Sequence, residues 1–534
     1  MKTLIKGLFV CLIASVSLLP SCEDKLDEDL RNQLGPDQLF STPDGFEDAL
    51  FGAYSIARDE WAWNIVGTLT YDPMFAGTDI AYAQNRFESP ETWPLERFND
   101  NLNSSYAVSK RYWYWGYELV SNTSEIITKC GEVSPDVWDS PEQALKVEAE
   151  ARFLRAYAYQ WLAYLFKDVP LVDQIYREYK TDFTRQPQDS ILQFVVYDLE
   201  FAQANLLDEP TFTGQIVKAA AKHKLAEVYL TYGTAVYDPE RAEELTLEVI
   251  KSGNYELVKE RFGTQVDSPG DLFSDMFKEG NQNISPENIW VMQLEQNVPG
   301  GGDEWVDWSR RTWVQAYGDI SGMVLCDSLG GRGLGQMRPM QSWLNSYEDD
   351  DIRASAYNIR RCYWYNDSTK KETYGKEVNV TQTMIEEGKM GPTTTKMDYG
   401  ITEISPGWVG NHKDRIKIRL AETYLLLAEA CVRQGEYADA AAAINEVRSR
   451  AGAMPITAAQ ATMDYVLDER ARELFAEYPR RLTLVRTDML LERVKKFNEI
   501  SAPLIQSYHK YIPIPQAVID ANTGADFPQN EGYN

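Results

Sequence analysis

Four aromatic residues stand close together after a Gly300-Gly301-Gly302 turn: Trp305, Trp308, Trp313 and Tyr317, with Asp303, Glu304, Asp307, Arg310 and Arg311 interleaved. Flat indole and phenol faces bury large areas at small entropic cost. Polar groups set among them supply directional hydrogen bonds. A pyranose ring asks for this pairing, because it offers C–H faces with hydroxyls around them. A second stretch, from Trp61 to Trp93, holds Trp61, Trp63, Asp79, Tyr82, Asn85, Arg86 and Trp93. The expected contacts with a sugar ligand are therefore Trp305, Trp308, Trp313, Tyr317, Asp79, Tyr82, Arg86 and Trp93. Packing of the same rings in a local core is the alternative. The chain carries 14 Trp and 31 Tyr, so many must be core. Trp113, Trp115 and Trp161 lie on helical patterns and are expected there.

Other chemistry finds less support. Cys130, Cys326, Cys362 and Cys431 are scattered without a CxxC pair, which argues against zinc or iron–sulfur sites. Cys431 lies on an apolar helical face and reads as a small core residue. The run Asp349-Asp350-Asp351 could attract calcium, but it lacks EF-hand spacing and reads better as a solvated helix end. No cofactor is expected. His223, His412 and His509 are far apart, and no HExxH, GxSxG or P-loop motif occurs. A glycoside hydrolase needs only two suitably spaced acids, and 81 acidic residues neither locate nor exclude such a pair. The net charge of −28 repels nucleic acid and excludes it as a partner.

The chain opens with Lys2 and Lys6, an apolar run from Gly7 to Leu19, and then Leu19-Pro20-Ser21-Cys22. This is the layout of a bacterial lipoprotein signal. The run is shorter than the roughly 20 residues that span a bilayer. Residues 1–21 are expected to be cleaved and Cys22 to carry lipid. Residues 22–35 form an acidic tether, since Glu23, Asp24, Asp27, Glu28 and Asp29 cannot bury themselves. The expected address is outside the cytoplasm, tethered by lipid; the acids just after the cysteine resemble a surface-export address, and that resemblance implies the outer membrane, facing the cell exterior.

Residues 36–534 read as one mainly helical unit. Tyr106 to Lys129 and Ala144 to Phe166 are helical, the second ended by Val169-Pro170. Ser190 to Leu207 follows, with Asp189 as its candidate N-cap. Ala219 to Gly253 and Arg419 to Gly452 look like two copies of a helix–turn–helix unit resembling tetratricopeptide pairs. In the second copy Ile416, Leu420, Tyr424, Leu427 and Cys431 make one face, and Gly435 closes the helix. The helical frame is placed mostly at 36–256 and 409–510. Between 257 and 408 glycines, prolines and short β-like runs such as Ile289 to Met292 predict a loop-rich portion. Loops on a rigid frame usually carry binding surfaces.

Several stretches, in order, resemble the SusD/RagB family of outer-membrane nutrient-binding lipoproteins. They are Glu148 to Tyr157 followed by Asp168-Val169-Pro170-Leu171-Val172, then Arg338 to Arg353, Ile444 to Gly452, and Asp468 to Leu474. Tyr511 to Pro515 and Gln529 to Tyr533 complete the set. Tyr478 to Leu482 departs from the family pattern. The repeated Arg and Glu of these motifs read as ion pairs in the frame. The resemblance implies a helical domain of tetratricopeptide-like pairs with an irregular ligand-binding portion. It places polar sugar contacts in the Trp61–Trp93 region. It implies no catalysis, a glycan ligand in most members and peptide in some. It also implies a TonB-dependent, SusC-like transporter as partner. A surface glycoside hydrolase, a helix-repeat scaffold for proteins and a peptide-binding protein are the alternatives.

Overall fold

The computed structural model describes residues 35–62, 71–84, 89–296, 298, 300–302, 306–399 and 410–533. Cys22, the signal, the tether to residue 34, Trp63, Asn85, Arg86, Asp303, Glu304 and Trp305 lie outside the described residues.

The longer helices are α1 (Pro43–Arg58), α2 (Trp93–Arg97), α3 (Ala107–Glu132), α4 (Pro141–Phe166), α5 (Gln188–Asn205), α6 (Lys218–Tyr229) and α7 (Pro239–Lys251). After a long irregular stretch containing α8 (Ser309–Trp313) come α9 (Leu420–Gln434), α10 (Tyr437–Arg450), α11 (Met463–Leu474), α12 (Arg480–Arg486) and α13 (Leu490–Phe497). Local chemistry sets their ends. Ser140 caps α4 by accepting the Gln143 amide at 3.3 Å, with Pro141 in the first turn. The helix therefore starts a turn earlier than its apolar pattern suggests. Gly435 adopts φ 85° and closes α9 as expected. Helix α5 begins right after Pro187, so Asp189 lies inside the first turn rather than at the cap. Its carboxylate instead accepts the Ala235 amide at 3.0 Å.

Each helix from α3 to α7 packs on the next, and α9 packs on both α7 and α10. The stack is thus continuous in space although some 160 residues separate α7 from α9 in sequence. Trp113, Trp115 and Trp161 lie in its core, Trp161 stacked on Tyr112 at 5.2 Å between centroids. Cys431 is buried there too. Ile416 does not share the α9 face, because the strand before α9 already includes it. Tyr424 is only half-buried.

The inserted segment contributes three two-stranded antiparallel pairs. β1 (Ala81–Ala83) pairs with β3 (Met337–Pro339), β2 (Asn288–Met292) with β6 (Arg415–Arg419), and β4 (Ile359–Arg360) with β5 (Thr393–Thr394). β6 runs straight into α9, so the β2–β6 pair stitches the insertion to the frame.

A buried ionic lattice makes the second and larger attachment. Arg353 reaches Asp351 at 2.7 Å, Glu469 at 2.7 Å and Glu473 at 2.9 Å. Arg419 holds Glu287, Glu473 and Glu477 at 2.6–2.7 Å. Arg450 joins Glu287 to Glu473, and Arg448 joins Glu348 to Glu469. Lys396 closes the set on Glu477 at 2.5 Å. Glu348, Asp351, Arg353, Arg448, Arg450, Glu469 and Glu473 belong to the motifs at 338–353, 444–452 and 468–474, read above as ion pairs in the frame, while Glu287, Lys396, Arg419 and Glu477 join them from outside. Asp351 is thereby a buried partner of Arg353 and not a solvated helix end.

Candidate functional site

The expected sugar-binding residues separate into two groups. Trp313 is fully buried: it packs on Phe475 at 4.8 Å and Phe75 at 5.6 Å, and its Nε1 donates to the Tyr71 hydroxyl at 2.7 Å. Tyr71 in turn donates to the Ala476 carbonyl at 2.6 Å. Trp313 therefore belongs to an aromatic spine between the irregular portion and α11, and offers no face to a ligand. Tyr317 is fully buried as well, in a small core with Val314, Met323, Tyr363, Val378 and Met390. Its hydroxyl ties the loop to Cys326, accepting the amide at 3.0 Å and donating to the carbonyl at 3.2 Å. Asp79 is 2% exposed and held by Arg480 at 2.6 Å and Arg493 at 2.9 Å. Burial alone would raise its pKa, but the two guanidinium groups outweigh that and hold it at about 2. These three residues are structural, and their expected contact with sugar is corrected accordingly. Apolar area and ion pairing claimed them, two forces that act regardless of position in a loop-rich segment.

Tyr82, Trp93 and Trp308 remain half-exposed, and short elements bring them together. Tyr82 sits in β1 opposite Arg338 of β3. Trp93 opens α2, which packs on β1, and Trp308 precedes α8, which packs on β3. The β1–β3 ribbon thus joins the two aromatic stretches. Its inner residues Ala81, Ala83 and Met337 are buried in the main core. Arg311 sits 4.9 Å over the Trp308 ring, and Arg97 sits 4.1 Å over Trp93. Arg311 also lies 4.0 Å from Asp72. Asp72 accepts a hydrogen bond from Thr312, and burial raises its pKa.

The guanidinium groups here are under-used. Nε and Nη1 of Arg311, Nε of Arg97, and Nε and Nη2 of Arg338 are buried without a hydrogen-bond partner among the described residues. Burial lowers the pKa of Arg311 and Arg338, with Asp72 and Tyr82 respectively opposing it. The region therefore sets three partly exposed aromatic rings beside buried guanidinium groups, two of which lie over the rings of Trp308 and Trp93. Arg97 stands out only as the i+4 partner of Trp93, and nothing in the sequence marks Arg338 as lying opposite Tyr82. An enclosed site is a poorer fit. The cavity between Trp61, Asp307, Lys413 and Arg415 measures about 30 Å³, room for a water or two and far below a sugar ring.

Glu96 fastens this surface from beneath. Its Oε2 accepts the amides of Gly77 at 2.9 Å and Ala83 at 3.2 Å, tying α2 to β1. Burial pushes its carboxyl up to about 7 even though these amides pull it down. The folded state thus keeps a proton that the unfolded chain, with the ordinary value of 4.5, has released. Nothing is lost below that ordinary value, and stability falls as pH rises through the window up to about 7. Glu96→Gln keeps an acceptor for both amides and removes the titration. The variant should gain on the wild type by on the order of 3 kcal/mol between about pH 4.5 and pH 8, read from urea midpoints at the two pH values.

Residues 286–533 match the model of the SusD family. Over that stretch the chain is similar to the SusD family. It is 24% identical over 529 residues to SusD-like protein P25 of Formosa agariphila, covering 94% of each chain. Over a shorter stretch of 119 residues it is 40% identical to the starch-binding protein SusD of Bacteroides thetaiotaomicron, 22% of this chain and 21% of that one. Its fold matches surface glycan-binding protein A of Bacteroides thetaiotaomicron, solved in complex with laminarihexaose. That match has a TM-score of 0.71 at 20% identity, covering 92% of this chain and 99% of the other. Three of the motifs that carried the resemblance, at 338–353, 444–452 and 468–474, supply much of the buried ionic lattice, and so they mark the frame rather than a ligand surface.

Proposed function

We propose that this chain is a non-catalytic glycan-binding lipoprotein of the cell surface. It captures an oligosaccharide and passes it to a TonB-dependent outer-membrane transporter. The observation that carries the reading is that Tyr82, Trp93 and Trp308 are partly exposed and stand on elements joined through the β1–β3 ribbon. A sugar ring laid on an indole buries apolar C–H area, and the guanidinium groups over Trp93 and Trp308 hold those rings in place before a ligand arrives, which lowers the cost of ordering. The laminarihexaose complex of a protein with the same fold supports the ligand class. Lipid on Cys22 would supply the tether. Among the described residues no helix is long and apolar enough to cross a membrane, which accords with attachment by lipid. Handing over to a transporter follows from the family alone.

Affinity electrophoresis of the full chain in gels containing laminarin, starch, xylan, mannan or pectin, with analysis of any released sugar, tests this reading. Retardation by at least one polymer without release is expected, and Trp308→Ala should weaken it by about 1–3 kcal/mol, the range for burying a large side chain. Released oligosaccharide would point to a glycoside hydrolase instead. No retardation in any gel would overturn glycan capture.

A further inference from the structure

Trp364 is 53% exposed, and no other tryptophan among the described residues is so open. It does not sit on a loose loop. It lies in a hairpin, bridged to Glu377 across the ladder. On either side the backbone is pinned: the Val378 amide donates to the Tyr363 carbonyl at 2.8 Å, and the Tyr365 amide to that of Lys376 at 3.0 Å. The alternation of a strand puts Tyr363 and Val378 inside the small core and Trp364 with Glu377 outside. Asn366 then anchors the hairpin to the preceding loop. Its side chain accepts the Val324 amide and donates to the Val324 carbonyl, both at 2.8 Å. Tyr374, at the turn, is 55% exposed. Trp364 thus presents an open indole on a backbone held in place from both sides.

We propose that Trp364, with Glu377 across the bridge and Tyr374 at the turn of the same hairpin, is a second contact for a neutral glycan chain, separate from the Tyr82–Trp93–Trp308 surface. The proposal rests on the glycan-binding function above. The size of the feature selects the occupant. A protein partner or a second copy of this chain needs roughly 1,200–2,000 Å² in total with an apolar centre, whereas single aromatic side chains bury about 150–250 Å² each. The surroundings are Lys370, Lys371 and Lys376 interspersed with Glu372 and Glu377, all exposed. Mixed signs at short spacing favour neither an anionic nor a cationic polymer, and an uncharged pyranose chain fits. The two contacts stand on different cores, Trp93 packing on the main one and Trp364 rising from the small one. A long chain that reaches both binds the second intramolecularly, at raised effective concentration.

The test uses the full chain, the polymer that most retards the wild type among laminarin, starch, xylan and mannan, and the hexasaccharide of that polymer. Trp364→Ala should weaken polymer binding by about tenfold through loss of the second contact, leave hexasaccharide affinity by titration calorimetry unchanged, and leave the thermal midpoint unchanged. Trp364→Phe, which keeps a flat ring, should restore most of the polymer affinity. Unchanged polymer binding in Trp364→Ala, while Trp308→Ala loses it, would overturn the second contact and leave the proposed function standing. Equal losses for polymer and hexasaccharide would also overturn it, merging Trp364 with the first surface. A wild type retarded by no polymer would overturn both readings.

Discussion

Replacing Trp313 with alanine should lower stability by about 3–5 kcal/mol, the cost of removing a fully buried large aromatic side chain and leaving its cavity. The loss has an identifiable origin. Trp313 contacts Phe75 and Phe475, and Phe475 stacks on Trp343 at 3.9 Å. Trp343 in turn donates to the Ala471 carbonyl of α11 at 2.8 Å. The ring is a link in a line of aromatics that seats the irregular portion on the frame. Its removal also leaves the Tyr71 hydroxyl without the Trp313 donor. Urea unfolding should show a lower midpoint at unchanged slope. Trp308→Ala removes a partly exposed ring and should cost clearly less than Trp313→Ala by the same measurement, since Trp313 is fully buried. Equal destabilisation by the two changes would contradict the division between a buried spine and an open surface.

Arg353→Met should cost a similar 3–5 kcal/mol, for an electrostatic reason. The Arg353 side chain is 0% exposed and serves Asp351, Glu469 and Glu473 together. Methionine fills much of the space but leaves those carboxylates with less positive charge and no route to water. Glu473→Gln should be comparably harmful from the other side, because Arg353, Arg419 and Arg450 all converge on that one carboxylate. The lattice also fixes the acid limb of stability. Burial would raise the pKa of Glu469, but Arg353, Arg472 and Arg448 outweigh it and hold it at about 2. Glu473 is held well below the usual carboxylate range, its burial outweighed by Arg450, Arg419 and Arg353. Groups lowered in this way contribute stability above the ordinary value of 4.5 and lose it as pH falls towards about 2. Denaturant midpoints measured across that range should drop steeply for the wild type. The drop should be shallower for Arg353→Met, in which Glu469 and Glu473 sit nearer their ordinary values. Parallel curves would contradict the lattice as the source of the acid limb.

The frame was legible because helices advertise themselves locally. Glycine at 435 and the apolar spacing along 420–431 each act within a few residues, and the structure follows them, whereas the start of α4 at Pro141 is not legible from its apolar pattern. The ionic motifs were legible as scaffold for a related reason: arginines and glutamates recurring at helical spacing point to ion pairs, although their partners, such as Glu287 and Lys396, come from distant irregular segments. The ligand surface was legible only in part. Trp308, Tyr82 and Trp93 stay open, while Trp313 and Tyr317, in the same short stretch as Trp308, turn inward. No local pattern separates them, since which ring is covered depends on Phe475 and Tyr363, residues 162 and 46 positions away in the chain. Trp364 did carry a signal, an alternation of Tyr363, Trp364 and Tyr365 that places the middle ring outward if the run is a strand.

A crystal structure of the full chain with the oligosaccharide that it retains tests the central claim most directly. A pyranose ring should lie on Trp308 or Trp93 in van der Waals contact, about 4 Å away, with hydroxyls on Arg311 or Arg338. Trp313 and Tyr317 should remain covered. A glycan bound elsewhere, with the Tyr82–Trp93–Trp308 surface untouched, would contradict it.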